Sequence, residues 1–339
     1  MSTMRAAVCE HFGSHRDLVV RDLPRPRTPP GCVRLRIAHS TVSFGQTLVV
    51  AGSYQRRPPL PFTPGTEVSG TVLELGDGVR DLAVGDRVAA VLDWGGYAQE
   101  AIATASTVYR VPDALDLLPA ACLPLTYGTA HAALHWRARL GAGETVLVLG
   151  AAGGVGLAAV EVALAAGARV LATASTEIKR ALVRSRGAHA VLDAEPDGLR
   201  EQVFAATAGR GVDIVFDPVG GRLSEEALRC LAPEGRMLAI GFASDAVPRT
   251  PYNILLVKNV DVIGFWFGLY VGWGRTDERE RYAARMRATV EALAGYCLDG
   301  RLRPEAGMRF PLECIVDAFE AVASRRGLGR VIVDMAAEA

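Results

Sequence analysis

"VLVLGAAGGVGLAAV", residues 146–160, decides the fold. Val146 to Leu149 form an apolar run of strand length, a glycine-rich bend follows, and the rest is a small, apolar segment of helical character. A helix beginning at such a bend offers several unpaired backbone N–H groups beside the positive end of its dipole, an arrangement that holds a pyrophosphate. Gly153 would let that group approach, Gly156 would let the helix pack closely on the strand, and Gly150 and Gly154 would keep the turn pliable. The usual order is Gly-x-Gly-x-x-Gly. Here Ala151 takes the first slot with Gly150 just ahead of it, which predicts a slightly longer turn.

The surroundings supply the context that a lone glycine motif lacks. Strands are predicted at Thr145–Leu149, Arg169–Thr173, Ala190–Asp193, Asp213–Asp217, Met237–Gly241 and Val262–Phe265. Amphipathic or alanine-rich helical stretches separate the first five, and such alternation implies a parallel sheet covered on both faces. Six strands of this kind make a doubly wound dinucleotide fold. The turn contacts assigned to the cofactor are Gly150, Ala152, Gly153, Gly154 and Val155.

The next strand ends in "VLATASTEIKR", residues 170–180. A site for NAD usually places a carboxylate near that tip, whereas one for NADP offers hydroxyl and cationic groups to the 2′-phosphate. Ser175, Lys179 and Arg180 fit the second pattern, so NADPH is the expected cofactor. Glu177 is the one nearby carboxylate, and pointed toward the site it would weaken that expectation.

Upstream, the first 120 residues are rich in valine, glycine and proline and read as short strands joined by turns. "GCVRLRIAHS" alternates apolar and polar residues as a half-buried strand does. "LLPAACLPLTYGTAHAALHW" reads as helix, as does "ERERYAARMRATVEALAGYCLDG" near the end, and "GRVIVDM" reads as a closing strand. At 339 residues the chain is long enough for two cores.

Charge is balanced, with 37 basic and 37 acidic residues, which removes nucleic acid and anionic membrane from the expected partners and leaves a small molecule. The N-terminus has no signal-like apolar run, and "ILLVKNVDVIGFWFGLY" is broken by Lys258, Asn259 and Asp261, so a soluble, cytoplasmic protein is expected. Six scattered cysteines without a Cys-x-x-Cys imply reduced thiols, not a zinc knuckle. His131 and His135 lie four apart, but without a third donor they do not make a metal site.

With "PPLPFTPGTEVSGTV", "VGDRVAA", "GGYAQE", "FDPVGG", "CLAPEGRMLAIGFAS" and "SRRGLGRVIV" in order around the glycine turn, the chain resembles the medium-chain dehydrogenase/reductase superfamily, and within it the zinc-free quinone oxidoreductase branch that includes zeta-crystallin. The resemblance implies an α/β chain with a GroES-like, mostly-β catalytic domain from residues 1–124 and 266–339, and a doubly wound, six-stranded parallel Rossmann domain from residues 125–265. It places the active site where the two meet and implies a homodimer. Thr66 stands where zinc-dependent relatives have histidine, so no metal is expected.

By the same resemblance Tyr54 is a candidate catalytic residue, with Ser43 and Gln46 in "VSFGQ" replacing the amide and carboxylate that relatives turn toward substrate. Thr126 and Thr129 would lie near the nicotinamide, Asp217 and Val219 would line the cofactor site, and Gly241, Phe242 and Ala243 would meet the carboxamide. Arg330 stands where relatives often carry a cofactor-facing lysine. Trp266 and Tyr270 are candidates for a substrate wall, with a core role as the alternative. The implied activity is NADPH-dependent hydride transfer to a quinone. The alternatives are reduction of an activated carbon–carbon double bond, in an enone or enoyl thioester, and a non-catalytic, crystallin-like NADPH-binding protein.

Overall fold

The computed structural model describes residues 2–325 and 327–335. It divides into two compact units, one formed by Met1–Gly128 with Gly268–Ala339 and the other by Thr129–Phe267. The division expected at residues 124/125 and 265/266 therefore falls four residues later on the first side and two later on the second.

The central unit is built on a six-stranded sheet: β1 (Thr145–Val148), β2 (Arg169–Ala174), β3 (Ala190–Asp193), β4 (Val212–Asp217), β5 (Leu231–Ala239) and β6 (Asp261–Gly264). All neighbours are parallel, in the order β3-β2-β1-β4-β5-β6. This is the doubly wound order, and the reversal between β1 and β4 opens a crevice at the carboxyl ends of the strands. Strand β1 is buried at every position, because helices cover both of its faces. Helix α1 (Gly154–Ala165) follows β1, α2 (Glu177–Ser185) follows β2, α3 (Leu199–Ala206) follows β3, α4 (Gly221–Arg229) follows β4 and α5 (Tyr252–Lys258) precedes β6.

Strand β5 begins at Leu231, ahead of the expected Met237. Its ladder with β4 jumps from Val212↔Leu231 to Ile214↔Arg236, so the chain bulges through "APEG" before regular pairing resumes. Glu234 takes up the bulge with φ 62°.

In the other unit the long strand Cys32–Val42 is the hub. It pairs antiparallel with Glu67–Leu75, Glu100–Thr104 and Arg330–Asp334, the last of which adds Ala306–Pro311 in parallel. Alternation along these strands sends Val33, Leu35, Ile37 and Val68 into one core. Phe319, from the helix Ile315–Ala323, packs edge-on against Tyr97 at 5.7 Å between ring centroids.

The stretch read as one helix from Leu117 is uneven. Tyr127 N–H donates to Cys122 O at 3.0 Å and Ala138 N–H to Ala133 O at 2.9 Å, both five residues back. These are π-helical turns. Pro124 explains the first, since it has no N–H for the carbonyl four residues earlier and its ring crowds that carbonyl. Among the described residues no helix is long and apolar enough to cross a membrane.

Candidate functional site

At the end of β1 the glycine turn is fastened to the neighbouring strand. Gly150 N–H donates to Thr173 Oγ1 at 3.1 Å and Ala151 N–H to Thr173 O at 2.9 Å. Thr173 is fully buried. Gly150 has φ 57°, and a Cβ there would lie 2.8 Å from Val219 Cγ2, so both backbone and space call for glycine. A Cβ on Gly153 would meet only Gly150 O, at an ordinary 3.5 Å. The protein itself does not require glycine at this exposed position, whereas a ligand lying against the main chain would.

Gly153 is also the cap of α1 and offers no side chain to its first N–H groups. Those groups are unpaired within the helix and aimed at whatever lies over the turn. A pyrophosphate fits this donor set, with Gly153, Gly154 and Val155 around it.

Strand β2 ends at Ala174, and Ser175 and Thr176 follow as exposed hydroxyls. Thr176 caps α2, its Oγ1 accepting from Lys179 N–H at 3.4 Å. Glu177 is engaged by its own helix: Arg184 Nη1 donates to it at 2.6 Å and Arg180 Nε at 3.0 Å, and the two arginines hold its carboxyl below the usual range. Arg180 Nη1 also reaches Ala174 O at 3.3 Å and Asp193 Oδ2 at 3.4 Å. The tip of β2 therefore presents hydroxyls and cations, and its carboxylate is matched by arginine.

Asp217, at the end of β4, faces inward. Its Oδ1 accepts from Val219 N–H at 2.8 Å and Gly220 N–H at 2.9 Å, and burial, opposed by Ser224 and these two amides, pushes its pKa up. It shapes the loop carrying Val219. In the loop after β5, Gly241 N–H and Ala243 N–H donate to Asp217 O and Pro218 O, so two of the amides expected for a carboxamide serve the loop itself. Phe242 is 40% exposed. Thr129 and Trp266 are half-buried in this unit.

In the unit formed by the chain ends, Ser43 immediately precedes the helix Phe44–Val50, and no capping bond from its side chain is made. A Cβ on Gly45 would lie 3.6 Å from Ser43 Oγ and 3.8 Å from Tyr54 Cε2, so the two candidate side chains flank the same glycine. Gln46 does not join them. Its Nε2 donates to Thr66 Oγ1 and its Oε1 accepts from Gly65 N–H, both at 3.0 Å, and it is buried. Tyr270 is likewise buried, edge-on against Tyr282 at 4.8 Å. The core alternative describes that residue better than a substrate wall.

Arg330 is only 3% exposed. Its guanidinium lies over the Tyr127 ring, 4.4 Å from the centroid, and donates to the Tyr127 hydroxyl and to Glu305 O. These contacts make it a brace for the turn that carries Thr126.

The sequence reading missed the group that organises this turn. Glu67, fully buried, sits under it. Its Oε1 accepts from Leu125 N–H at 2.8 Å and Thr126 N–H at 2.6 Å, and its Oε2 accepts from the hydroxyls of Thr126 and Thr41, both at 2.7 Å. Burial raises its pKa, and the four donors oppose that shift. The available signal was a carboxylate beginning a strand whose next residues, "VSGTV", are small or apolar. Thr173 gives as little signal, a lone hydroxyl in the apolar "VLATA".

His131 and His135 lie ring to ring, with centroids 4.5 Å apart, and burial lowers the pKa of His135. Among the described residues no three His, Cys, Asp or Glu side chains gather as metal ligands.

Comparison with known proteins adds the following. Residues 29–113 match the Alcohol dehydrogenase GroES-like domain, and residues 154–287 match the Zinc-binding dehydrogenase family. Quinone oxidoreductase-like protein 2 of Rattus norvegicus is 38% identical over 98% of this chain and 92% of its own length. Mycobacterial Rv1454c, solved in complex with NADPH, superposes with a TM-score of 0.88 at 30% identity, covering 98% of this chain and all of the other. Escherichia coli quinone oxidoreductase, also complexed with NADPH, gives a TM-score of 0.89 at 25% identity, covering 98% and 100% of the two chains.

Proposed function

This chain belongs to the quinone oxidoreductase-like branch of the medium-chain dehydrogenase/reductase superfamily and is an oxidoreductase, and from that membership we propose that it transfers a hydride from NADPH to a quinone without a metal. The observation that carries the reading is the pairing of two features at the head of one parallel sheet. One is an uncapped glycine turn pinned to Thr173, and the other is a β2 tip whose following carboxylate, Glu177, is held by Arg180 and Arg184.

The main-chain donors of Gly154 and Val155 bind the pyrophosphate, and Gly153, whose own N–H closes the turn on Gly150 O at 3.1 Å, leaves room for its approach. Ser175 and Lys179, with Arg180 behind them, take the 2′-phosphate. NADPH, when bound, supplies the hydride and leaves the chain to position, orient and exclude water. Negative charge developing on the acceptor's oxygen is met by neutral donors, the hydroxyls of Ser43 and Tyr54. The same donors serve an enone carbonyl, so reduction of an activated double bond is the second reading.

NADPH oxidation followed with a simple quinone and then with an enone separates the two. Binding of NADPH with turnover of neither would favour a non-catalytic role, and equal or better use of NADH would overturn the cofactor assignment. Lys179→Ala is expected to weaken NADPH far more than NADH; an equal effect on both would remove Lys179 from the phosphate site.

The partner proposed for the chain is a second copy of itself. Among the described residues strand β6 is the last of its sheet, pairing with β5 alone, and exposes Val262. Tyr252, Leu256 and Val257 on the adjacent α5 are each more than 70% exposed. An open strand edge with apolar neighbours suits two-fold pairing with the same edge of another copy. Light scattering should give twice the chain mass, and Val262→Lys combined with Leu256→Glu should give one; a monomeric wild type would refute the pairing.

A further inference from the structure

We infer that Glu67 is a positioning residue: by accepting the Thr126 hydroxyl proton it leaves that oxygen only lone pairs to offer, and so selects a ligand group that donates, the carboxamide NH2 of the nicotinamide. The inference rests on the proposed place of Thr126 beside the nicotinamide and says how that contact is made.

With Glu67 ionised, the geometry fixes the direction of each hydrogen bond around it. Leu125 N–H and Thr126 N–H can only donate, and both go to Oε1. Oε2 accepts hydrogen bonds from the hydroxyls of Thr126 and Thr41. Thr41 is fixed from the other side as well, since its carbonyl accepts from the Tyr97 hydroxyl at 2.9 Å. An ionised carboxylate has only acceptor sites. While Glu67 carries its charge, the Thr126 proton points inward and the partly exposed face of the hydroxyl can only accept. Simple anchoring of the turn would need the two backbone bonds alone, and the second oxygen would then be free of Thr126.

An amide at position 67 reverses this polarity while keeping shape. The two backbone donors require the Gln oxygen at the Oε1 position, which puts the NH2 at Oε2. That NH2 donates to Thr126 Oγ1, so the hydroxyl proton must turn outward. A Glu67→Gln enzyme would then favour a ligand that accepts.

The test compares NADPH with the reduced 3-acetylpyridine analogue of NADP, whose acetyl group has a carbonyl and no N–H. Dissociation constants are measured by fluorescence titration, with circular dichroism to check folding. The wild type should favour the carboxamide by about tenfold, the scale of one hydrogen bond, and Glu67→Gln should abolish or invert that preference. Should Glu67→Gln fail to fold, Thr126→Ser and Thr126→Val decide: the serine keeps the wild-type ratio and the valine brings it to about one. A ratio unchanged in Glu67→Gln, or in Thr126→Val, overturns the inference. Failure of the wild type to bind either nucleotide would instead overturn the cofactor reading beneath it.

Discussion

Gly156 stands so close to Gly150 that a Cβ on it would lie 2.5 Å from the Gly150 carbonyl oxygen and 2.9 Å from Ala151 Cα. Both obstacles are backbone and cannot swing aside. Gly156→Ala should therefore shift the turn, cost about 1–3 kcal/mol of stability and weaken NADPH binding. Gly153→Ala meets only Gly150 O at 3.5 Å, and should leave the melting temperature nearly unchanged while weakening NADPH by about tenfold or more, the loss expected when one close hydrogen-bonded approach is blocked. Paired thermal melts and nucleotide titrations measure the contrast, and equal melting losses in the two variants would contradict it.

Glu177 tempers the positive charge of Arg180 and Arg184 on the surface of α2. Removing it in Glu177→Ala should lower KM for NADPH by about threefold at low ionic strength and leave KM for NADH unchanged. The gain should fade toward about 1 M salt, where screening reaches within a few ångströms. A gain that persists in high salt would mean that the carboxylate acts by shape.

Arg330→Met removes a buried guanidinium from the Tyr127 ring and from Glu305 O. Loss of these contacts should cost about 1–3 kcal/mol, seen in urea unfolding, with a smaller effect on NADPH affinity than Lys179→Ala. The opposite ranking in titrations would make Arg330 a direct cofactor contact.

Glu67 gives stability a specific pH dependence. Its pKa lies above the ordinary 4.5 in the folded chain, with burial the main cause. The folded state then holds the proton more tightly than the unfolded state. Its contribution is full below the unfolded value and is lost as pH rises through the folded one. Glu67→Gln has no such proton, so its melting temperature should gain on that of the wild type as pH climbs from about 4 to neutrality. A pH-independent difference between the two melting curves would exclude an elevated pKa.

The sequence by itself determined the architecture of the central unit. Its apolar runs alternate with amphipathic helices, and the strand-turn-helix at residues 145–165 has only one economical use in a parallel sheet. The hydroxyls and cations after β2 were legible for the same reason, since they are neighbours in the chain. Tertiary structure decided what side chains distant in sequence do to one another. The side chain of Gln46, read as facing the acceptor, turns to Thr66 and Gly65; that of Arg330, placed at the cofactor, lies on Tyr127, 203 positions away. Glu67 reaches Thr126 across 59 positions. Periodicity reports which face of an element is buried, because burial recurs with the pitch of the backbone. The partner of a buried polar group follows no period, and only the folded chain assigns it.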